Sequence, residues 1–141
     1  MYKKMVLAVD GSEVSKNAVK HAIALAKHNN GMLIAVHVIP PIDVTDIESF
    51  KPDTILQGLK QEGENILSDV KGLAAKENVQ VQTRIEVGVP YDMICEVADE
   101  TDADLIIMGS HGRTGIGKVF IGSVTERVIS RTKCRPVLVV K

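Results

Sequence analysis

A glycine-rich segment near the C-terminal end carries the residue types that bind phosphate. It runs from Gly109 to Glu126 and reads GSHGRTGIGKVFIGSVTE. Residues 112–118 (GRTGIGK) have the G-x-x-x-x-G-K spacing of a P-loop, in which backbone N–H groups and the lysine hold nucleotide phosphates. A P-loop continues with a serine or threonine that binds Mg²⁺, whereas the next residue here is Val119. The segment is therefore an incomplete P-loop, and another kind of phosphate site has to be considered.

The second kind of phosphate site is the beginning of a helix. Gly122 and Ser123 are expected to open the last helix, where unpaired backbone N–H groups and the helix dipole attract anions. Ser123 and Thr125 would add hydroxyl donors, and Gly109 and Gly112 directly follow a strand. The alternative is a flexible glycine-rich connection, because glycine is also an ordinary turn residue.

The charged and imidazole side chains of this segment have weaker support as ligand contacts. Arg113 and Lys118 could neutralise phosphates, but cations in a loop are most often solvated. His111 could contact a ligand through its ring or its backbone, and it lacks a carboxylate nearby in sequence that would orient it as a base. No catalytic residue is predicted, and no metal-ligating residue either, because the four histidines lack metal-ligand spacing.

Asp10 is a polar residue at the end of another apolar run. It precedes Gly11 and Ser12, so its carboxylate is expected at the rim of a sheet, where it could accept from a base amino group or a ribose hydroxyl. The turn and cap preferences of aspartate, taken alone, favour a purely structural role. Ser12 is expected to be the N-cap of the first helix.

Five short apolar runs predict the strands that position these residues. Four of them are continuously apolar, which favours a mainly parallel sheet covered by helices on both faces. The third alternates and is expected at a sheet edge. Such an open α/β sheet binds its ligand beyond the carboxyl ends of its strands, where the winding reverses. The runs are 5–9, 32–39, 79–87, 104–109 and 136–140.

Helical periodicity fills most of the segments between these runs and predicts helices over 13–29, 54–77, 90–100 and 122–131. The 40–52 linker is expected to be a solvated crossover or a lid. Three glycines of the second helix should each weaken it by about 1 kcal/mol relative to alanine: Gly58, Gly63 and Gly72. The inward stripe of that helix is predicted to be Ile55, Leu59, Ile66, Val70, Leu73 and Ala74.

Composition limits the class of protein. A chain of 141 residues is expected to form a single domain, 1–141, with its own core. A net charge of −1, with basic and acidic residues dispersed, argues against nucleic-acid and membrane partners. The N-terminal apolar run is too short for a signal peptide, so a cytoplasmic location is expected. Cys95 and Cys134 are expected to be reduced and partly buried.

The last strand predicts self-association. It ends the chain with four consecutive apolar residues, which would be an aggregation hazard at an uncovered sheet edge. A homodimer paired through this strand is therefore expected. Its residues are Val137, Leu138, Val139 and Val140.

These features together resemble the universal stress protein family over essentially the whole chain. The glycine-rich segment matches the family's ATP-binding signature G-x₂-G-x₉-G-[ST] at Gly109, Gly112, Gly122 and Ser123. The beginning, KKMVLAVDGSEVSKNAV, and the ending, CRPVLVVK, are also similar to the family. Because every fixed position of the signature is present, the sequence is assigned to the ATP-binding branch.

The resemblance implies a three-layer α/β sandwich with a five-stranded parallel sheet in the order 3-2-1-4-5, which is Rossmann-like and similar to the adenine nucleotide alpha hydrolases. It also implies ATP with Mg²⁺ or Mn²⁺, and a homodimer through the final strand. Asp10 and the Val38 backbone would meet the adenine end, and Met108 and Gly109 the ribose and first phosphate. His111 is included as a loop contact. The triphosphate would be surrounded by Gly112, Gly122, Ser123, Val124 and Thr125.

Three functions follow as hypotheses. The first is an ATP-binding regulatory or stress-response module that acts on an unknown protein partner. The second is a slow ATPase or phosphotransferase, which lacks a recognisable base and a second acidic cluster. The third is a nucleotide-free structural dimer.

Overall fold

A computed structural model of the chain describes residues 1–41, 52–112 and 121–141. The described residues form five strands and four helices in an alternating order. The strands are β1 (Lys4–Ala8), β2 (Met32–Ile39), β3 (Gln80–Val87), β4 (Leu105–Gly109) and β5 (Val137–Val140). The helices are α1 (Glu13–Asn29), α2 (Pro52–Lys76), α3 (Pro90–Glu100) and α4 (Ser123–Arg131).

The strands form one parallel sheet in the order β3-β2-β1-β4-β5. This confirms the predicted fold and strand order, and it confirms that the alternating strand β3 lies at an edge. The winding reverses at β1, which pairs with β2 on one side and β4 on the other. The carboxyl ends of these three strands therefore meet at one rim of the sheet, where a ligand is expected.

Helices cover both faces of the sheet, which explains the continuously apolar strands. Side chains alternate along a strand, so Leu7 of β1 packs among α1 and α2 residues while Val6 packs among α3 and α4 residues. Both are fully buried. A parallel strand with two covered faces has no solvent-facing positions, and its sequence becomes an unbroken apolar run.

The predicted bounds of these elements differ from the observed ones by at most two residues. One position of the α2 stripe was wrong: Leu73 is 46% exposed, whereas Leu67 is buried. The helical period explains this difference, because Leu67 lies on the same face as Val70 and Ala74, and Leu73 lies one position off that face. The prediction for Cys134 was also wrong, since its thiol is exposed; Cys95 is buried.

Several sequence predictions lie outside the described residues. Most of the 40–52 linker and the centre of the glycine-rich segment, with Arg113 and Lys118, belong to this group. Within the described ranges, no helix combines the length and the apolar character that crossing a membrane requires.

Candidate functional site

A cavity of about 550 Å³ opens beyond the carboxyl ends of β1, β2 and β4. Its volume falls within the usual range for small-molecule sites, roughly 300 to 1,000 Å³. The structure brings all ten predicted ligand-contacting residues to this cavity, and their role in binding stays a prediction. They are Asp10, Val38, Met108, Gly109, His111, Gly112, Gly122, Ser123, Val124 and Thr125.

The turn between β1 and α1 holds Asp10 at the centre of the rim. Gly11 adopts a φ of 83°, which residues with a side chain rarely adopt. One carboxylate oxygen, Asp10 Oδ1, accepts from the Ser12 N–H at 2.9 Å. Ser12 is the N-cap of α1, as predicted, because its hydroxyl oxygen accepts from the Ser15 N–H at 3.1 Å. Asp10 thus has the structural role that its turn preference indicated.

The second oxygen of Asp10 faces the glycine-rich segment. A Cβ atom added to Gly112 would lie 2.8 Å from Asp10 Oδ2, which is closer than real Cβ contacts. The two loops therefore approach each other so closely that a side chain at residue 112 would collide with the carboxylate. One oxygen of Asp10 fixes the turn, and the other lies between the loops at the cavity.

Ser110 joins the glycine-rich segment to β5 and α4. Its N–H donates to the Val140 carbonyl at 2.8 Å, and its own carbonyl accepts from the Gly122 N–H at 2.6 Å. Gly122 packs tightly here, since a Cβ atom on it would lie 3.0 Å from His111 Cα. Ser110 is buried. No local sequence pattern predicted this role of Ser110, because its partners lie 12 and 30 residues away in the chain.

The first turn of α4 faces the cavity with its backbone N–H groups. Gly122 is the N-cap residue and has no side chain to accept from them. Ser123, at the first helical position, is exposed. The buried Thr125 hydroxyl donates to the Gly109 carbonyl at 2.8 Å, so its proton is already engaged. The Thr125 hydroxyl therefore positions the helix against β4.

At the other end of the cavity, the ladder between β1 and β2 ends. The Val9 N–H donates to the Val36 carbonyl at 3.0 Å, one residue beyond the last paired residues, Ala8 and Val36. Backbone groups alternate in direction along a strand, so the N–H and C=O of Val38 point to the same side as those of Val36, beyond the end of β1. The Val38 backbone is thus directed at the cavity.

Sequence reasoning missed several residues that line the cavity. His37 is buried, with its Nδ1 atom 2.9 Å from the Val9 carbonyl. It also lines the cavity, as do Leu59 and Glu62 of α2. The signal that could have found His37 is its position, a polar residue near the carboxyl end of an otherwise apolar strand.

The described residues build no metal centre of their own. No group of three or more histidine, cysteine, aspartate or glutamate side chains comes together among them in a way that could hold a metal ion. Asp10 is the carboxylate at the centre of the rim, and its Oδ1 atom already accepts from Ser12. A magnesium or manganese ion bound with a nucleotide would therefore depend on phosphate oxygens and water for most of its ligands.

Comparisons with known proteins agree with this fold. The profile of the universal stress protein family matches residues 1–141. Universal stress protein MJ0531 of Methanocaldococcus jannaschii is 41% identical over 145 residues, which cover 100% of this chain and 83% of that protein. The solved structure of hypothetical protein MJ0577 has a TM-score of 0.88 at 35% identity, covering 100% of this chain and 96% of that chain.

Two further solved structures contain adenine nucleotides. A universal stress protein in complex with cAMP has a TM-score of 0.76 at 29% identity, covering 99% of this chain and 97% of that one. The universal stress protein from Archaeoglobus fulgidus in complex with dAMP has a TM-score of 0.71 at 26% identity, covering 99% and 98%. The family profile spans the whole chain, and universal stress protein MJ0531, at 41% identity, also covers all of it. The chain therefore belongs to the universal stress protein family.

Proposed function

We propose that the cavity binds an adenine nucleotide, with ATP as the ligand, and that this binding regulates the protein's interactions. The observation that carries the proposal is the arrangement of three groups around one cavity. The Val38 backbone lies at the end of β2, Asp10 at the end of the central strand β1, and the first turn of α4 beyond β4. In ATP, the base, the sugar and the phosphate chain follow one another in the order in which these three groups lie along the cavity.

The base end suits adenine. Adenine presents a donor, the N6 amino group, next to an acceptor, N1, on one edge. A single residue's backbone carbonyl and N–H, such as those of Val38, can pair with both. Guanine presents the opposite order on the corresponding edge, with O6 as acceptor and N1–H as donor. Two similar proteins whose structures contain cAMP and dAMP support an adenine base.

The other end suits phosphate. The first turn of α4 offers backbone N–H groups and the positive end of the helix dipole, and the Gly122 N-cap has no side chain competing for them. Close packing at Gly112 and Gly122 leaves no room for side chains, so the backbone lines this end of the cavity. ATP is favoured over a monophosphate because the glycine-rich segment matches the full ATP-binding signature of the family.

We further propose that the protein acts as a homodimer through β5. This strand lies at an edge of the sheet and pairs only with β4 among the described residues. Leu138 of β5 is 37% exposed, so a paired copy could bury it. Because Ser110 bonds both Val140 and Gly122, nucleotide bound at α4 lies two backbone hydrogen bonds from the dimer edge. An unknown protein partner would then meet a surface that depends on the nucleotide.

The geometry favours binding over hydrolysis. Within the described part of the chain, the hydrogen-bond partner of the His111 ring is the Ser110 hydroxyl at 3.0 Å, rather than a carboxylate that would orient it as a base. ATP bound here is therefore expected to persist as a signal.

Titration calorimetry with ATP, AMP, cAMP and GTP tests the proposal. We expect ATP to bind, and to bind more tightly than GTP. The Gly122→Val variant serves as the control for binding at this cavity and should lose affinity while remaining folded by circular dichroism. If no adenine nucleotide binds the wild-type protein, the proposed function is wrong. Phosphate release at a rate that Asp10→Ala abolishes would instead support the enzymatic hypothesis.

A further inference from the structure

We propose that His37 is a positioning residue for base recognition: its imidazole occupies the Val9 carbonyl and so leaves the Val38 N–H to the ligand. The identity of the ligand rests on the proposed function. The effect of His37 on the backbone is independent of the proposed function, because it concerns hydrogen bonds within the protein.

The register of the sheet identifies the bond that His37 replaces. Ala8 pairs with Val36 in the parallel ladder, and the Val9 N–H donates to the Val36 carbonyl. The next step of a parallel ladder would be a bond from the Val38 N–H to the Val9 carbonyl. Among the described residues that bond is not formed, and the Val9 carbonyl instead lies 2.9 Å from His37 Nδ1. The side chain of one β2 residue thus substitutes for the backbone of the next.

The chemistry of the two atoms fixes the direction of this hydrogen bond. A carbonyl oxygen only accepts, so His37 Nδ1 must carry a proton and donate. This holds for the neutral Nδ1–H tautomer and for the charged ring. Because the Val9 carbonyl already accepts from His37, the ladder between β1 and β2 does not need a further bond from Val38. The backbone of Val38 therefore stays directed at the cavity.

A glycine in α2 holds the imidazole in place. A Cβ atom on Gly63 would lie 2.7 Å from His37 Cδ2 and 3.4 Å from His37 Nε2. The ring therefore packs directly against the backbone of α2, and it is 9% exposed. A ring held at Nδ1 by one hydrogen bond and at its opposite edge by a helix has little freedom to release the Val9 carbonyl. Gly63, which weakens a helix taken alone, makes this packing possible.

Amide hydrogen exchange measured by NMR tests the effect on the backbone without any ligand. In the wild-type protein, the Val38 amide should exchange at least about tenfold faster than the Val36 amide, which lies inside the ladder. His37→Leu should slow exchange at Val38, because the Val9 carbonyl then needs a donor. His37→Asn is the matched control, since its side-chain amide can donate in place of Nδ1, and it should leave Val38 exchange fast.

The direction of the change in Val38 exchange distinguishes a positioning role of His37 from a merely structural one. A general loosening of the protein in His37→Leu would make Val38 exchange faster rather than slower. Slow Val38 exchange in the wild-type protein, or unchanged or faster exchange in a folded His37→Leu variant, would overturn the proposal. Even if His37→Leu does not fold, slow Val38 exchange in the wild-type protein would overturn the proposal.

Binding measurements extend the test to the ligand. His37→Leu should weaken ATP binding about tenfold, which corresponds to one hydrogen bond. It should change the affinity for tripolyphosphate, which has no base, by less than about twofold. His37→Asn should keep ATP affinity within about threefold of the wild type. Equal losses for ATP and tripolyphosphate would overturn the recognition role. If wild-type protein binds no adenine nucleotide, the proposed function fails, and the Val38 exchange rates still decide the role of His37 in the ladder.

Discussion

The Thr125 hydroxyl donates a hydrogen bond to the Gly109 carbonyl at 2.8 Å, and this bond joins the first turn of α4 to the last residue of β4. Thr125 is 2% exposed, so water does not compete for the bond. The proposed phosphate-binding N–H groups belong to the same helical turn. The direction of these N–H groups relative to the strand ends therefore depends on the hydrogen bond between Thr125 and Gly109, which lies within the protein.

Replacing Thr125 by valine should destabilise the protein by about 1 to 3 kcal/mol, because the Gly109 carbonyl loses its donor while the side-chain shape is kept. Urea unfolding measures this change, and calorimetry should show weaker ATP binding as well. Ser130→Ala is the control on the same helix, since the exposed Ser130 hydroxyl donates within α4 and should matter by less than about 0.5 kcal/mol. Equal stability of the two variants would contradict the role of Thr125.

Local patterns predicted the elements of this fold, and the resemblance to the family supplied their order. The apolar run at 32–39 matched β2 fully, because both faces of that strand are covered. The position of β1 between β2 and β4 depends on pairing between distant segments, on which periodicity carries no information. The resemblance to the family supplied it, because that resemblance implies the strand order.

The site was predicted where residue types signal locally and missed where contacts are distant. Asp10 and Gly122 stood out because aspartate and glycine at strand and helix ends have known preferences. Ser110 did not, since its importance comes from Val140, 30 residues away. Gly63 was interpreted only as a weakness of α2, because nothing in the local sequence shows that His37 packs against it.

Gly122→Val should weaken ATP binding more than about tenfold. The nearest atom that a Cβ would meet, His111 Cα at 3.0 Å, belongs to the backbone, as does the Ser110 carbonyl oxygen at 3.4 Å, so the loop itself must move. Lys118→Ala should weaken ATP binding less than about threefold, since the lysine of an incomplete P-loop is not required in this site. Calorimetry on both variants gives the ranking, and the reverse order would restore the P-loop interpretation.

Gly63→Ala and Gly72→Ala should have opposite effects on stability, although both replace a glycine within α2. A Cβ on Gly72 meets nothing within 4 Å, so Gly72→Ala should stabilise the protein by about 0.5 to 1 kcal/mol. A Cβ on Gly63 would lie 2.7 Å from a held ring atom of His37, and such overpacking costs about 1 to 3 kcal/mol. Urea unfolding compares them, and equal stabilisation would show that the ring moves freely.

Leu138→Lys should convert the proposed homodimer to a monomer. The side chain lies on the edge strand β5, and a charge there would have to be desolvated when two copies pair. Leu73→Lys is the matched control, because Leu73 is 46% exposed on α2, away from β5. Sedimentation velocity at micromolar concentration measures both variants beside the wild type. A monomeric wild-type protein would contradict the dimer, and a dimeric Leu138→Lys variant would contradict the interface.

Cys95 should make the protein less stable at alkaline pH. Burial raises the pKa of the Cys95 thiol above its ordinary value of 9.0, and the nearby Arg131 charge opposes this rise only in part. The unfolded chain therefore loses the thiol proton at a lower pH than the folded protein. The stability that the neutral thiol contributes is fully present below pH 9 and decreases as the pH rises from there towards the folded pKa.

Urea unfolding from about pH 7 to about 1.5 pH units above the ordinary thiol pKa of 9.0 measures this dependence. Cys95→Ala will be less stable at every pH because it leaves a cavity, so the diagnostic quantity is the slope. The stability difference between wild type and Cys95→Ala should shrink as the pH rises above 9, the ordinary pKa of the thiol. Cys134→Ala is the control variant, because the Cys134 thiol is exposed in the folded protein. A constant difference for Cys95→Ala would mean that the thiol ionises equally in both states, and that its burial between α3 and α4 does not affect its charge.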